Sequence, residues 1–590
     1  MKNGFFKYVF ASMLGFIFAY IAIFIVATGL FLGIVGVVAS KYIKDGKEKT
    51  LTKESVLFIE LNTPIVERTE DNPFESVDFF NADYFPQELR TVLQKIRAAK
   101  DDDKISAIYL NLSMMSSELS TLNEIRNALI DFKTSGKKIY AYSDLMTQGT
   151  YYLSSVADKI YIQPEGMLLL NGFNSEMVYL KGMFDKLSIQ PKLFRAGDYK
   201  SAGEMFTREN MSEADRQQLE EYIFPIYTKF LKNIASSRNL KVEELKRIFD
   251  EFLIRKAEDA LEYKLVDGLM YRDEFFDLLK KELNVKKLHL IKLNDYTPNL
   301  ENDTDSDNKI AVIYAVGSIN MGEGSAETIG DETLCKALRK ARTDKDIKAI
   351  VLRINSPGGN SLPSDNIWRE VKLAAKEKPF VVSMGNLAAS GGYYIACPAD
   401  TIITEPFTIT GSIGVFGVVF NLQDFWKNKT GIAFDRVKTS PYADFGNPNR
   451  PILPEEELII QSFVDDIYVE FKKKVSEGRG LDINYVDSIA RGRIWSGEQA
   501  VKNGLADLIG NLDDAIRIAA EMADIKDYEL SYLPKKHNPF SKFLHSGKTQ
   551  IRNFVLRGSL GEDYDLYKSY LDASNIKSGV YMLSPQIDIK

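Results

Sequence analysis

The sequence predicts an α/β protein made of two tandem copies of one domain with mainly parallel sheets, preceded by one N-terminal transmembrane helix. Three observations support this fold class: an internal repeat, an alternation of strand-like and helix-like segments, and a long uncharged apolar run near the N-terminus. Apolar residues make up 45% of the 590 residues and charged residues 27%, which is ordinary for a folded protein and excludes a fully disordered chain.

The internal repeat relates segments that lie 240–242 residues apart. Four pairs of segments match in the same order along the chain, which is hard to obtain by chance and indicates a duplicated domain. The matching pairs are Ile105–Leu110 with Ile347–Leu352, Tyr151–Asp158 with Tyr393–Asp400, Ile226–Phe230 with Ile467–Phe471, and Ala260–Asp267 with Ala500–Asp507.

The boundary between the two copies is expected in the acidic, polar stretch Asp295–Asn308, because this stretch has no apolar period. The sequence therefore predicts five parts: a membrane anchor with its juxtamembrane segment (1–50), a first copy (51–295), a linker (296–308), a second copy (309–535) and a C-terminal tail (536–590). The tail contains no motif that we can interpret.

Within the second copy, short apolar runs alternate with segments of helical period. This alternation predicts a parallel sheet with crossover helices. The predicted strands are Lys309–Val316, Ile347–Ile354 and Phe380–Met384, and the predicted helices are Asp331–Arg342, Ser364–Ala375 and the long amphipathic Pro454–Gly480, which Ser212–Arg238 matches in the first copy.

The N-terminal run covers residues 8–40 and contains no charged side chain. It exceeds the roughly 20 apolar residues that a spanning helix needs and the roughly 7–15 of a cleaved signal peptide, so we expect a retained anchor rather than a cleaved one. Lysines flank the run on both sides, and the charges alone do not set its orientation. Residues 1–50 carry +4 and the whole chain −7, which leaves −11 on the body, so we expect no nucleic-acid partner.

Cysteine and histidine are too rare for several classes of site. The two cysteines cannot build a disulfide framework, and the spacing of the three histidines matches no zinc motif, so we expect neither a metal nor a cofactor. A Ser-His-Asp hydrolase is not excluded, but it would have to use His289, His537 or His545.

Two glycine-rich turns in the second copy are the candidate reactive positions. Asn355–Gly359 (NSPGG) and Ala388–Tyr393 (AASGGY) each follow a predicted strand, and ligands of open parallel sheets bind at the carboxyl ends of strands. Backbone N–H groups of such turns can form an oxyanion hole beside Ser390. The first copy has Gln148 at the position of Ser390 and Ser113–Ser117 in place of NSPGG, which argues against a purely structural role for the turns.

A serine nucleophile needs a base, and no histidine lies near these turns in the sequence. A lysine can serve if burial or a positive neighbour lowers its pKa toward neutrality. The residues alone leave two candidates open, namely Lys438 in the second copy and Lys200 in the first.

The chain resembles the signal peptide peptidase A (protease IV) family in its long, duplicated bacterial form. The resemblance rests on the apolar N-terminus, the two copies and the SPGG and ASGGYY motifs. It implies Clp-protease/crotonase-like domains and a Ser/Lys dyad with Ser390 as nucleophile. Short members of the family carry the lysine in a motif where this second copy has Ala443, so the resemblance selects Lys200 as the general base. It further implies that Ser412 orients the lysine and that the N–H groups of Gly391 and Gly359 form the oxyanion hole.

The function implied is that of a membrane-anchored serine endopeptidase that degrades remnant signal peptides and other envelope polypeptides. The resemblance also implies a homotetramer, an inner-membrane location with the catalytic body on the periplasmic side, and membrane lipid around the N-terminal helix. Two alternatives stay open at this point: a crotonase-like acyl-CoA enzyme, which shares the sheet and the oxyanion hole, and a non-catalytic membrane scaffold.

Overall fold

The computed structural model describes residues 54–69, 86–113, 115, 117–298, 306–535 and 579–583, together with eight helical positions between Gly15 and Gly29. The predicted anchor at 8–40 lies outside the described residues except for those eight positions. Among the residues that are described, no helix is both long enough and apolar enough to cross a membrane.

The first copy is built around a six-stranded sheet in which every neighbouring pair of strands is parallel. The strands of this part of the chain are β1 (Ser55–Ile59), β2 (Ile65–Val66), β3 (Gln87–Glu88), β4 (Ile105–Leu110), β5 (Lys138–Thr147), β6 (Lys159–Leu169), β7 (Gln190–Ala196), β8 (Gly268–Leu269) and β9 (His289–Lys292). The sheet has the order β8-β6-β5-β4-β1-β9, while β2 and β3 form a separate pair.

Helices cover this sheet on both sides, as crossover connections between parallel strands require. They are α1 (Leu89–Asp101), α2 (Leu119–Lys133), α3 (Gln148–Ser154), α4 (Lys181–Leu187), α5 (Glu204–Thr207), α6 (Glu213–Arg238), α7 (Val242–Asp250), α8 (Ala257–Glu262) and α9 (Arg272–Glu282). Apolar side chains of the strands and of α1, α2 and α6 form one buried core, and a second cluster lies under α9.

The second copy repeats the plan with an eight-stranded sheet, mainly parallel, whose path runs β19-β17-β15-β13-β10-β21 and which β16 and β20 extend. The strands of this part of the chain, four of which lie outside the eight-stranded sheet, are β10 (Lys309–Val316), β11 (Ser318–Asn320), β12 (Thr328–Gly330), β13 (Ile347–Ser356), β14 (Gly358–Asn360), β15 (Phe380–Ala389), β16 (Thr401–Thr404), β17 (Ile409–Gly411), β18 (Val415–Asn421), β19 (Ile494–Ser496), β20 (Leu508–Ile509) and β21 (Glu529–Leu533). The antiparallel pair in this sheet is β17 with β19.

The helices of the second copy are α10 (Asp331–Thr343), α11 (Ser361–Ala375), α12 (Gly391–Ala396), α13 (Gln423–Phe425), a π-helical turn (Trp426–Thr430), α14 (Pro454–Arg479), α15 (Ile483–Ile489), α16 (Gly497–Lys502) and α17 (Leu512–Met522). The expected alternation of strands and helices is present, with shifts at the ends. The strand that was predicted to end at Met384 continues to Ala389. After a register shift, β15 pairs again with β13 at Ala388, and residues Leu387–Ala389 also pair with β17.

A third sheet joins the two copies. Its order is β12-β11-β14-β22-β18-β7, where β22 is the tail segment Gly579–Leu583. Strand β7 leaves the sheet of its own copy and pairs antiparallel with β18 of the second copy, from Ala196 opposite Val415 to Gln190 opposite Asn421. Because β7 is exchanged in this way, the residues that follow it lie against the second copy.

Candidate active site

Ser390 stands where strand β15 ends and helix α12 begins, and its side chain is buried. Its backbone has φ 55° and ψ −115°, a conformation that costs free energy for a residue with a side chain and that the surrounding structure must hold in place. The Ser390 N–H donates a hydrogen bond of 2.8 Å to the Gly411 carbonyl at the end of the neighbouring strand β17. The serine therefore lies at the carboxyl edge of the sheet, where the sequence predicts a reactive site.

The glycines of the two turns lie against each other beside Ser390. A Cβ placed on Gly391 would come within 3.1 Å of the Gly359 nitrogen, and one placed on Gly358 within 2.6 Å of the Gly391 nitrogen. Gly358 also has φ +98°, which favours glycine. Side chains at these positions would fill the space between the backbone N–H groups of the two turns, so the glycines keep these donors close together.

Lys200 reaches Ser390 from the first copy through the exchanged strand β7. Because Ala196 pairs with Val415, the residues after β7 emerge next to the connection between β17 and β18. The Lys200 Nζ lies 2.6 Å from Ser390 Oγ, 3.0 Å from Ser412 Oγ and 2.9 Å from the Ser412 carbonyl oxygen. The nucleophile candidate and the amine of the same chain therefore meet directly.

Burial controls the charge of this amine. The Lys200 side chain has no solvent exposure, and desolvation holds its pKa well below the usual range of a lysine. Within the described part of the chain, no carboxylate forms an ion pair with Lys200. A buried amine without a counter-ion favours its neutral form, which is the form that can accept a proton.

Ser412 occupies the position after β17 that Ser390 occupies after β15. The two strands are parallel neighbours, with Ala389 opposite Gly411, so the residues that follow them come together. Ser412 has φ +49°, and its N–H donates a 2.7 Å hydrogen bond to the Arg493 carbonyl. Both of its oxygens face the Lys200 amine, which fixes the direction from which Nζ approaches Ser390.

The other candidate base, Lys438, lies elsewhere. Its Nζ donates to the Pro441 carbonyl at 2.9 Å and to the Asp444 carboxylate at 3.0 Å, within an exposed loop. Of the two lysines that the residues alone left as candidates, Lys200 therefore contacts Ser390, and the hydrogen bonds of Lys438 lie within its own loop. The histidine reading of the sequence finds no support in the described residues, since His289 lies on the edge strand β9 of the first sheet and the other two histidines fall outside them.

Sequence reasoning missed the residues that contact the loop of residues 197–200, here called the lysine loop. A Cβ on Gly492 would come within 2.5 Å of the Lys200 nitrogen, and one on Gly197 within 2.4 Å of the Arg491 carbonyl. The Tyr199 N–H donates to that carbonyl, and the Asp198 carboxylate forms an ion pair with the Arg491 guanidinium. The repeat contains a signal that could have identified Gly492. At the offset of 240 that relates Ala260 to Ala500, Gly492 corresponds to Phe252, so the second copy has a glycine where the first has a bulky side chain.

The equivalent position in the first copy holds no nucleophile. The Gln148 side chain instead closes onto the backbone of Gly172, donating to its carbonyl at 2.9 Å and accepting from its N–H at 3.0 Å. The first copy thus has a side chain that hydrogen-bonds to the backbone where the second copy has the Ser390 hydroxyl. Among the described residues, no group of three or more His, Cys, Asp or Glu side chains could hold a metal ion.

Comparison with known proteins also indicates a peptidase. The model of Peptidase family S49 matches the chain twice, at residues 131–286 and 372–526. The chain is 35% identical over 520 residues to Protease 4 of Salmonella typhi, covering 85% of this chain and 84% of that protein. It is 36% identical over 228 residues to a putative signal peptide peptidase SppA of Enterococcus faecium, covering 38% of this chain and 66% of that protein.

The two α/β copies and the serine at the strand end, together with these matches, define a serine protease. The chain belongs to peptidase family S49, in the SppA (protease IV) type with two S49 domains. Among solved structures, a ClpP1 mutant from Listeria monocytogenes matches with a TM-score of 0.24 and 16% identity, over 35% of this chain and 94% of that chain. The Clp-protease/crotonase-like architecture expected from the sequence stays a prediction.

Proposed function

We propose that this serine protease works through a Ser/Lys dyad formed within one chain, with Ser390 as nucleophile and Lys200 as general base. The observation that carries the proposal is the 2.6 Å contact between Lys200 Nζ and Ser390 Oγ at a fully buried amine. The acyl-CoA and scaffold alternatives do not account for this pairing, since neither needs a buried amine on a serine hydroxyl.

The contacts of Lys200 fit a neutral amine. Such a group has two N–H donors and one lone pair. The Ser412 carbonyl oxygen and hydroxyl oxygen lie at 2.9 and 3.0 Å and take the two donors. The lone pair is then left for the hydroxyl proton of Ser390.

In the first half of the reaction, Ser390 Oγ attacks the carbonyl carbon of the scissile peptide bond and its proton passes to Lys200 Nζ. The N–H groups of Gly391 and Gly359 stabilise the negative charge that forms on the carbonyl oxygen. The C–N bond then breaks, the Lys200 ammonium gives its proton to the leaving amine, and an ester on Ser390 remains. In the second half, a water molecule loses a proton to Lys200, attacks the ester and releases the acid, and the proton returns to Ser390 Oγ.

Covalent labelling tests the dyad. The full chain is exposed to a fluorophosphonate probe, and the labelled peptide is mapped in the native protein and in the variants Ser390→Ala, Lys200→Ala and Lys438→Ala. We expect label on Ser390 and its loss in the first two variants. Lys438→Ala should be labelled normally, because the Lys438 amine hydrogen-bonds within its own exposed loop. Undiminished labelling of Lys200→Ala would refute the assignment of the base.

We also propose that the protein is anchored through residues 8–40 in the inner membrane, with the catalytic body on the periplasmic side, and that its substrates are remnant signal peptides and other envelope polypeptides. The support is the uncharged length of this run and the apolar side chains at its described helical positions, which are Phe16, Phe18, Tyr20, Ile23 and Val26. A relative named as a putative signal peptide peptidase points to the same substrates. Membrane fractionation tests the anchor, and cleavage of a synthetic signal peptide in detergent tests the substrate.

The proposed homotetramer has a structural rationale in the duplication. Residues 190–196 of the first copy (β7) pair with residues 415–421 of the second copy (β18). At the offset of 242 that relates Gln148 to Ser390, residues 190–196 correspond to residues 432–438 of the second copy. By the same offset, residues 415–421 correspond to residues 173–179 of the first copy. In the described chain these two segments are not paired in strands, apart from a bridge at Ser175, and Val178 and Val437 are exposed. Pairing residues 432–438 with residues 173–179 of a second copy would repeat the internal exchange head to tail. Such contacts give a closed ring when the rotation from one copy to the next closes, and four copies per turn would give the tetramer.

Light scattering of the full chain in detergent tests this assembly. We expect Val437→Asp to dissociate the oligomer, because it places a charge at the proposed contact. Leu261→Asp, an equally polar change at an exposed apolar residue of α8, should leave the assembly intact. An unchanged mass for Val437→Asp would contradict the proposed contact.

A further inference from the structure

The long helix α6 of the first copy carries two polar side chains on its buried face. Asp215, Gln218, Leu219 and Tyr222 have the spacing that places side chains on one side of a helix, and all four are buried. Leu219 and Tyr222 belong to the apolar core of the first copy, as expected of such a face. The two polar residues need another explanation, because buried polar groups are costly unless they are hydrogen-bonded.

The amide of Gln218 contacts the chain on both sides of Lys200. Its Nε2 donates to the Tyr199 carbonyl oxygen at 3.0 Å and to the Ser201 hydroxyl oxygen at 3.1 Å. Its Oε1 accepts a hydrogen bond of 3.3 Å from the N–H of Ile494 on strand β19. One side chain of the first copy thus connects the residues before and after Lys200 to a strand of the second copy.

The strand that Gln218 contacts stands beside Ser412. Ile494 lies opposite Gly411, the last residue of β17, and Ser412 follows directly. Ser412 in turn contacts the Lys200 amine through both of its oxygens. The backbone around Lys200 and its amine are therefore both held against the same pair of strands, the backbone by the glutamine and the amine by the serine.

Asp215 fixes the orientation of the Gln218 amide. Its Oδ1 lies 2.9 Å from Gln218 Nε2, so three oxygens face a nitrogen that has two N–H donors. Burial raises the pKa of Asp215, and hydrogen bonds from Ser201 and Gln218 oppose that rise. The donor end of the amide is thus fully used, and its oxygen is left for the Ile494 N–H.

The duplication indicates that this contact serves the lysine. At the offset of 241 that relates Ile226 to Ile467, Gln218 corresponds to Ile459. The second copy, which does not supply the candidate base, therefore has an apolar residue at the position where the first copy has a buried amide.

We propose that Gln218 is the positioning residue of the general base: it holds the backbone on both sides of Lys200 and so keeps Nζ within hydrogen-bond distance of Ser390 Oγ. The inference rests on the proposed function, since it needs Lys200 as the base. Gln218 acts through Lys200, because its contacts are with the neighbouring backbone and not with the reacting atoms. Such positioning matters because a displacement of about 1 Å can slow a reaction about 100-fold.

Gln218→Met tests this role, because methionine has a similar length and no N–H donor. We expect labelling of Ser390 by the fluorophosphonate probe to become about 10–100-fold slower. With a peptide substrate, kcat should fall while KM stays unchanged. Gln217→Met is the matched control and should be labelled normally, since Gln217 is exposed and donates to Glu221 at 2.9 Å. Labelling of Gln218→Met at the native rate would overturn the proposal.

The pH profile of labelling separates positioning from a general loss of structure. Desolvation lowers the pKa of Lys200, so a displaced amine that water reaches should have a pKa closer to 10.5. The acid limb of Gln218→Met should therefore lie at higher pH than that of the native protein. A slower rate with an unmoved acid limb would contradict the proposal, because a smaller folded fraction alone does not change the pKa of the base.

A second variant covers the case in which Gln218→Met does not fold. Ser201→Ala removes one of the oxygens that the amide contacts, and it should slow labelling severalfold and move the acid limb in the same direction. An unaltered rate and acid limb in Ser201→Ala would overturn the proposal. In the double variant, Ser201→Ala should add no further slowing to Gln218→Met, because both changes break one contact, whereas independent effects would contradict it.

Lys200→Ala distinguishes failure of this inference from failure of the dyad. If Lys200→Ala is not labelled and Gln218→Met is labelled at the native rate, the dyad stands and the positioning role is refuted. If Lys200→Ala is labelled as fast as the native protein, the dyad is refuted, and the positioning role is refuted with it.

Discussion

At the residue scale, the central feature is a fully buried lysine whose pKa desolvation lowers well below the usual range. Lys200 has no solvent exposure and hydrogen-bonds to two serines and no carboxylate among the described residues. Each unit by which a pKa lies below its unfolded value costs about 1.4 kcal/mol of stability at pH values below both. Burying this amine beside Ser390 therefore lowers the stability of the native protein at pH values below the folded pKa of Lys200.

The first prediction concerns pH and follows from this cost. Because burial lowers the pKa of Lys200, the unfolded chain binds more protons, and the native protein loses stability as the pH falls below 10.5 toward the folded pKa. Lys200→Met removes this dependence, so its melting temperature relative to that of the native protein should rise as the pH falls from 10 to 7. Calorimetry at several pH values measures the difference, and a pH-independent difference would contradict a neutral lysine. The labelling of Ser390 in the native protein should decline over the same direction of pH, because protonation of Lys200 removes the base.

The second prediction concerns Ser412, whose two oxygens contact the Lys200 amine. In the proposed mechanism Ser412 acts through this amine rather than on the substrate. Ser412→Ala removes one of the two acceptors of the amine and should slow acylation by about 10–100-fold with little change in KM. Ser412→Gly should slow it equally, although glycine relieves the strain of φ +49°. A fast glycine variant would show that the backbone conformation, not the hydroxyl, matters. The acid limb of the pH profile should also move in both variants, since the hydroxyl contacts Nζ.

At the element scale, an exchanged strand and two glycine turns bring Lys200 next to Ser390. Strand β7 brings the lysine loop across to the second copy, and Gly492 lets the loop approach the turn before β19. The three strands and three helices that the sequence predicted in the second copy are all present, with ends that differ by at most five residues, because apolar period and length are local properties. It did not predict that β7 would pair with β18 of the second copy, because the choice of a distant partner strand is not a local property of the sequence.

The third prediction tests this close approach. Gly492→Ala should abolish labelling of Ser390, because its Cβ would come within 2.5 Å of the Lys200 nitrogen. Gly480→Ala is a matched control, since Gly480 also has positive φ but no atom within 4 Å of an added Cβ. Alanine at positive φ should cost Gly480→Ala about 1–2 kcal/mol of stability and leave its labelling intact. Gly492→Ala should lose more stability, because its Cβ also meets the backbone of Lys200. Equal labelling of the two variants would contradict a role for the approach.

At the scale of the whole molecule, a buried ionic cluster joins the two copies. Arg353 on β13 donates to Glu67 at 2.7 and 3.0 Å and to Glu124 of helix α2 at 2.5 Å, and all three side chains are buried. Burial raises the pKa of Glu124, and the charge of Arg353 opposes that rise. Such a cluster tolerates no missing partner, because the remaining charges have no water to stabilise them.

The fourth prediction concerns this cluster. Arg353→Met should lower the free energy of unfolding by about 3–5 kcal/mol, because it leaves two buried carboxylates without a cation. Arg339→Met, which removes the exposed partner of Glu370, should cost at most about 1 kcal/mol. Urea unfolding measures both variants. Similar losses for the two would mean that the buried cluster does not hold the copies together.

The sequence by itself determined the duplication, the α/β class and the serine at a glycine-rich strand end, because repeats, apolar periods and turn residues are local signals. It also showed that the two copies had diverged at Ser390 and Gln148. The residues alone left Lys200 and Lys438 open, and the family resemblance favoured Lys200. Only the tertiary structure showed that Lys200 Nζ contacts Ser390 Oγ within one chain, and that Gly579–Leu583 pairs with both β14 and β18. The reason is physical: Lys200 and Ser390 are 190 residues apart, and their meeting depends on an exchanged strand, while the low pKa of Lys200 depends on burial, which no local pattern encodes.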